Sequence, residues 1–319
     1  MSINNPKLTV LMPAYNAAKY IGEAIASVLE QSFVDFELLV VNDGSTDETA
    51  KIVRSFNDPR IVLINQENKG IAAALNLGLT YAHAPYVARF DADDICLKNR
   101  LKIQYDFITA YPQYSIVGSA ADYIDADGHY IFTHHPAGHL NEEIQQLKYS
   151  ICPFIHSSVL YKKDVIVNNG GYNEHAYTYE DHFLWMNILK NEKACNLSQP
   201  LIKVRLNPES VTIDERWHSR KFLSIKYSTL KKGSITEAEG RELYNISGKR
   251  HSPKIKEGAY YALCGKKYLL NNYQPKKARF NMVRAISLHP FRLDNYLLFT
   301  VSYLPERFIT WLHKFNLNG

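Results

Sequence analysis

The stretch Tyr86-Val87-Ala88-Arg89-Phe90-Asp91-Ala92-Asp93-Asp94, residues 86–94, runs from a short apolar segment of strand length into three carboxylates within four residues. Carboxylates so crowded repel one another unless a cation or a set of donors compensates them. Oxygen-only ligands at a strand tip suit a hard divalent ion that also holds a diphosphate, because Mg²⁺ and Mn²⁺ take one or two carboxylates together with substrate phosphates. The competing reading is a solvated acidic turn capping the helix that Leu97-Lys98-Asn99-Arg100-Leu101 begins. The flanking sequence weighs against that reading.

Upstream, β-rich runs alternate with helical stretches. Leu8-Thr9-Val10-Leu11-Met12 precedes a helical pattern from Ala18 to Gln31, and Phe36-Glu37-Leu38-Leu39-Val40-Val41 precedes one from Asp47 to Phe56. Arg60-Ile61-Val62-Leu63-Ile64 leads into a helix from Gly70 to Ala82, and Tyr86 to Phe90 into one from about Asn99 to Ala110. Strands alternating with helices of about ten to fifteen residues imply a parallel sheet covered on both faces. Ligands of such sheets gather beyond the C-terminal strand ends at a switch point. The unusual residues stand at those ends: Pro13-Ala14-Tyr15-Asn16, Asn42-Asp43-Gly44-Ser45-Thr46-Asp47, Asn65-Gln66-Glu67-Asn68-Lys69-Gly70 and Asp91-Ala92-Asp93-Asp94. One such turn is ordinary, and Ser45 or Asp47 alone reads as an N-cap. Four successive polar rims point to a single site.

From Ile116 to Arg205 helix and strand signals mix, with strands expected at Ile116–Ser119, Tyr130–Thr133 and Ser158–Tyr161. Tyr179 to Leu189 reads as a helix with Glu180 and Asp181 in its first turn, where the dipole favours anions. After Trp217 the chain reads as helical, with Ala259–Asn271 and Ala278–Ile286 separated by Pro275. His134, His135 and His139 resemble a zinc set, but the intervening Pro136 and Gly138 suggest a loop over the rim.

An apolar fraction of 46% with 22% charged residues fits an ordinary globular chain. The N-terminus lacks a basic region followed by a sustained apolar stretch, so a cytoplasmic location is expected. No run reaches the roughly 18 apolar residues of a membrane span. Cys96, Cys152, Cys195 and Cys264 lack paired spacing, which argues against a zinc site or a disulfide framework. The net charge of +5 hides an asymmetry. Residues 1–214 carry 17 Lys and Arg against 25 Asp and Glu, a net of −8, and residues 215–319 carry 20 against 7, a net of +13. A basic segment of that kind faces anionic lipid, a phosphate-bearing acceptor or nucleic acid, or is simply a solvated helical surface.

In four ordered motifs the chain resembles family 2 glycosyltransferases, the inverting GT-A enzymes of bacterial polysaccharide synthesis. The motifs are Val10–Asn16, Val40–Asp47, Ala88–Asp94 and Glu180-Asp181, with Asn68-Lys69-Gly70, Asn76, Arg100-Leu101, Gln104 and Gly170-Gly171-Tyr172 as linking pieces. The resemblance spans about residues 7–210. It implies an α/β fold of GT-A type, a Rossmann-like, mostly parallel sheet flanked by helices, with a mainly helical basic C-terminal segment. The implied domains are 1–214, divided at 118 into nucleotide-binding and acceptor halves, and 215–319.

It further implies transfer from a UDP-sugar to a hydroxyl of a glycan or lipid-linked saccharide, assisted by Mn²⁺ or Mg²⁺. By the same correspondence Asp93 is the metal ligand, Asp91 contacts the ribose or a metal-bound water, and Pro13, Ala14, Tyr15, Asp43 and Lys69 border the nucleotide. Asp181 is the base. Glu180, His156 and Arg205 are candidates for acceptor or loop contacts, and Asn207–Thr212 for a loop closing on the donor. Peripheral attachment to an anionic membrane surface is expected through an interfacial helix over Tyr296–Trp311, with Leu312 and Lys314 beside it. Two other readings compete. A nucleotidyltransferase would show a glycine- and basic-rich phosphate loop where Pro13-Ala14-Tyr15-Asn16 stands. A nucleic-acid-binding protein would act through the basic third, yet its aromatics have core-like helical spacing and no binding motif occurs, so no nucleic-acid partner is expected.

Overall fold

A computed structural model describes residues 5–209, 219–247, 252–309 and 311. The expected alternation is present: β1 (Leu8–Ala14), α1 (Ile21–Leu29), β2 (Phe36–Asp43), α2 (Thr49–Ser55), β3 (Ile61–Gln66), α3 (Ile71–Tyr81), β4 (Tyr86–Arg89), the two-residue β5 (Ile95–Cys96) and α4 (Arg100–Ala110). There follow β6 (Tyr114–Ile124), β7 (Tyr130–His134), α5 (Asn141–Leu147), β8 (Leu160–Lys162), α6 (Lys163–Asn168), α7 (Glu180–Ile188) and β9 (Lys193–Arg205). The remaining helices are α8 (Arg220–Lys232), α9 (Glu237–Ser247), α10 (Pro253–Leu270), α11 (Pro275–Leu288) and α12 (Leu293–Val301).

The strands form one sheet in the order β3-β2-β1-β4-β8-β6-β9-β5, with β7 paired to β6. The first four pair in parallel, with Leu8 opposite both Phe36 and Tyr86. Every residue of β1 and β2 is buried, as their continuous apolar character requires of strands covered on both faces. Ile21, Ala24, Ile25 and Val28 form the inward stripe of α1. The chain runs outward from β1 to β2 to β3, then returns to the other side of β1 as β4. That reversal opens a switch point between the ends of β1 and β4. Strands β8, β6, β9 and β5 extend the sheet beyond β4, and the pairs β4–β8, β6–β8 and β5–β9 are antiparallel.

Several elements differ from expectation. The longest strand, β9, carries Pro200, which argues against a strand because it offers no N–H to the ladder. Its neighbour β5 pairs at Lys203 and Ile202, and Leu97 N–H bonds Leu201 C=O, so Pro200 lies just past that ladder. The strand expected at Ser158 starts at Leu160, since His156–Ser158 forms a single 3₁₀ turn. A single helix over Tyr296–Trp311 is not formed. Its first part lies within α12, which ends at Val301, and a turn bonded from Leu304 N–H to Val301 C=O precedes Pro305. Ser210–Thr212, Trp217, Leu312 and Lys314 lie outside the described residues.

Two compact units are present. The first takes residues 1–121, 134–204 and 220–245, and so includes the parallel strands, α7, α8 and most of α9. The second takes residues 122–133, 205–219 and 246–319. Its core gathers Ile131, Phe132, Leu206, Tyr260, Cys264 and Tyr268 with Ile309. Gly265 lets α10 and α11 approach, because a Cβ there would stand 2.5 Å from Met282 Cε.

Candidate active site

The loops at the C-terminal ends of β1, β2 and β3 are tied to one another by side chains. Asp43, almost wholly buried at the end of β2, accepts hydrogen bonds at Oδ1 from Gln66 Nε2 (2.6 Å) and Lys69 N–H (2.9 Å), and at Oδ2 from Gly70 N–H (2.9 Å). Asn16 sits in the left-handed region at φ 48°. Its N–H donates to Ser45 Oγ and its Oδ1 accepts from Thr46 N–H. Asp47 accepts from Ala18 N–H and from the N–H and hydroxyl of Thr49. Burial opposes its charge, but these donors outweigh it and hold the carboxyl below its ordinary pKa. Pro13 and Ala14 close β1 in buried positions, whereas Tyr15 is 44% exposed beside them. The Lys69 side chain is exposed, while its backbone N–H bonds Asp43.

The acidic cluster lies just past β4, where Phe90 N–H bonds Leu11 C=O and so sets Asp91 beside the end of β1. One ligand oxygen each from Asp91, Asp93 and Asp94 falls within 4.8 Å of the others. Asp91 pairs with Arg89, whose side chain is buried. Burial disfavours the guanidinium charge, but Asp91 beside it prevails and raises the Arg89 pKa. The strand tip is held from behind by α4. Arg100 Nη2 donates to the carbonyl of Arg89 (2.7 Å), and Arg100 Nε to Gln104 Oε1 (3.0 Å). Gln104 Nε2 in turn donates to the carbonyls of Val117 and Ser158.

Glu180 and Asp181 open α7 and face the same charges. Burial, and then the neighbouring Asp181, push the Glu180 carboxyl up to about 7, with Asp91 acting in the same direction and Arg89 against it. Asp181 accepts from His182 N–H at Oδ1 (2.6 Å) and from the Cys152 thiol at Oδ2 (3.6 Å). Burial, and then Asp181, raise the thiol well above its ordinary pKa, so it stays protonated and can donate. His156 Nε2 meets the hydroxyl of buried Tyr172 at 3.2 Å. Burial and then the Arg89 charge hold His156 well below its ordinary pKa, which makes it a neutral ring rather than an acid. Asn76 on α3 fixes this wall, since its Nδ2 donates to Tyr172 C=O and its Oδ1 accepts Tyr172 N–H, both at 2.8 Å. Gly171, at φ 71°, leaves room for that clasp: a Cβ there would stand 2.6 Å from Asn76 Oδ1.

The family model described as Glycosyl transferase family 2 matches residues 9–168, which include the first three motif loops and the Asn76 helix. The chain belongs to this family. It is a glycosyltransferase. The amylovoran biosynthesis glycosyltransferase AmsE of Erwinia amylovora is 31% identical over 216 residues, which cover 66% of this chain and 80% of that protein. Several longer relatives are matched over only 30% to 34% of their length. Among solved structures, TarS 1-349 of S. aureus in complex with UDP-GlcNAc is similar with a TM-score of 0.55 at 19% identity, over 92% of this chain and 91% of that one. The mannosyltransferase PcManGT of Pyrobaculum calidifontis in complex with GDP-Man and Mn²⁺ gives a TM-score of 0.55 at 17% identity, over 98% and 85%. These likenesses establish the shared fold.

In this glycosyltransferase Pro13, Ala14, Tyr15, Asp43, Lys69, Asp91, Asp93, His156, Glu180 and Asp181 all belong to the first unit. Arg205 belongs to the second unit, where it is buried and its Nη1 donates to Ala126 C=O (3.3 Å). His134, His135 and His139 are absent from the potential metal groups among the described residues. Their loop is instead pinned by Asn196, whose Nδ2 donates to Gly138 C=O and whose N–H donates to His139 C=O. Sequence reasoning missed Arg89 and Cys152. The signal for Arg89 was present, an arginine within an otherwise apolar strand, because a buried cation requires an anion. Nothing in the sequence joins Cys152 to Asp181, 29 residues away.

Proposed function

We propose that the protein moves one sugar, with inversion, from a nucleoside diphosphate donor, a UDP-sugar, to a hydroxyl of a glycan or lipid-linked saccharide in bacterial surface polysaccharide synthesis. The supporting observation is the Asp91/Asp93/Asp94 group, whose Asp91 charge reaches Glu180 beside Asp181, in the same unit as the Asp43 cradle. AmsE is named for amylovoran biosynthesis, and TarS was solved with UDP-GlcNAc, which favours this donor and pathway class. An ionised carboxylate offers about four acceptor sites. Three of those on Asp43 are used, and the fourth is assigned to a ring N–H of the base, a donor that uracil has and cytosine lacks at the corresponding position. Tyr15 offers its exposed ring to the base, and Pro13 and Ala14 border it.

The all-oxygen group of Asp91, Asp93 and Asp94 fits a hard divalent ion, Mn²⁺ or Mg²⁺. Asp93 is its assigned ligand, with Asp91 turned to ribose or an ion-bound water while Arg89 holds it. Such an ion, when bound, supplies Lewis-acid neutralisation of a leaving diphosphate. Asp181 takes the proton of the acceptor hydroxyl, oriented for that task by His182 N–H and the Cys152 thiol. Glu180 and His156 border the acceptor, and neutral His156 adds no positive charge beside the base. The saccharide acceptor is taken at an anionic membrane face.

The test is nucleoside diphosphate release from a panel of nucleotide-sugars with Mn²⁺ or Mg²⁺. Asp181→Asn should retain metal-dependent UDP binding by calorimetry and lose roughly 10²- to 10⁴-fold in turnover. Asp93→Ala should lose the metal-dependent part of binding as well. Unchanged turnover in Asp181→Asn would remove that residue from the role of base.

A further inference from the structure

The apolar side chains of the second unit divide into two sets. One fills the core around Tyr260, Cys264 and Tyr268. The other faces solvent: Phe291 is 95% exposed, Leu293 79%, Leu297 65% and Phe280 60%, with Val283 more than half exposed, and beyond α12 Tyr303, Phe308 and Trp311 are exposed as well. Helical geometry groups them. On α11 the inward residues are Ala278, Asn281, Met282 and Ala285, while Phe280, Val283 and Arg284 stand three and four positions apart on the outer side. On α12, Leu293 and Leu297 are four apart, and Phe291 lies in the connector just ahead of them. The two most exposed of these groups, Phe291 and Leu293, lie on one helical hairpin, and a large exposed apolar patch marks a surface that something covers.

Charge selects the occupant. Residues 253–309 hold ten Lys and Arg against three Asp and Glu, a net of +7. Arg284 lies 5.5 Å over the Phe280 ring, so cationic and apolar groups share the outer side of α11. A second copy of the chain would set one cationic face against another. An anionic lipid surface complements both features, taking apolar side chains at headgroup depth and cations at the phosphate level. Among the described residues no helix is long and apolar enough to cross a membrane, so the hairpin suits lying on a bilayer rather than spanning it.

We propose that the α11–α12 hairpin docks the protein on an anionic lipid surface, inserting Phe291, Leu293 and Leu297 at the headgroup boundary. This extends the contact expected over Tyr296–Trp311, where Tyr303 and Trp311 are also exposed and Ile309 is buried, back to the connector and the start of α12. The proposal rests on the reading that the acceptor is taken at an anionic membrane face, and it is tested without turnover, so that its failure is distinct from failure of the transfer assay. The full chain is cosedimented with vesicles of phosphatidylglycerol and, separately, of phosphatidylcholine. Strong binding to the first, weak binding to the second and loss at high salt are expected. Phe291→Ser/Leu293→Ser/Leu297→Ser should weaken phosphatidylglycerol binding by about tenfold or more. Lys276→Glu/Arg284→Glu should weaken it comparably while leaving the apolar set intact. Thermal melting should be unchanged in both, since the substituted side chains are exposed. The proposal is overturned by undiminished binding in the triple variant, by equal binding to the two lipids, or by a dimer that the triple variant converts to monomer without any change in lipid binding.

Discussion

Glu180 concentrates the electrostatics of the site in one side chain. Burial and the Asp181 and Asp91 charges raise its pKa from 4.5 to about 7, so the folded protein keeps a proton that the unfolded chain releases above 4.5. The stability this proton confers is complete below 4.5 and is lost as the pH rises through about 7. Glu180→Gln mimics the protonated form at every pH and removes that slope. Relative to the parent, the variant should therefore gain about 2–3 kcal/mol between about pH 5 and about pH 8, read as a pH-dependent difference in urea midpoint. A difference independent of pH would mean that Glu180 is ionised throughout.

Helix α4 shows how one element holds the site without touching a substrate. Its Arg100 and Gln104, four residues apart, donate to carbonyls of Arg89, Val117, Val159 and Ser158, and so tie the tip of β4 to β6 and to the 3₁₀ turn after His156. Gln104→Ala strands two buried carbonyls and removes the acceptor of Arg100 Nε. A loss of about 2–4 kcal/mol is expected, seen as a lower urea midpoint at unchanged slope. Less than about 0.5 kcal/mol would show that water replaces the amide. The sequence displayed this helix and the four β/α repeats clearly, because apolar runs and 3.6-residue periodicity are local signals. It hid β9, whose Pro200 offers no N–H to a ladder and so argued against a strand. Likewise Asp43, Asp91 and Asp181 were legible as motif acids, but the Asn76–Tyr172 clasp and the Arg89–Asp91 and Cys152–Asp181 pairs arise from tertiary contacts that no local pattern encodes.

At the scale of the whole molecule, acidic and basic character are separated along the chain, and each compact unit has buried residues of its own. The donor assignment involves only the first unit, whereas the lipid assignment involves only α11, α12 and their connector. Ligand binding to the native state stabilises it by about 2.7 kcal/mol at a hundredfold excess over Kd, and it suppresses the local openings that free the backbone contacted. Hydrogen exchange with UDP and Mn²⁺ present should therefore slow in peptides covering residues 13–18, 42–47, 65–70 and 90–94. Peptides from α11 and α12 should exchange as before. Phosphatidylglycerol vesicles should give the reverse pattern, protecting 280–297 and leaving the four loops unchanged. Protection of α11 and α12 by the nucleotide alone would contradict this separation of roles, since neither helix supplies a residue to the proposed donor site.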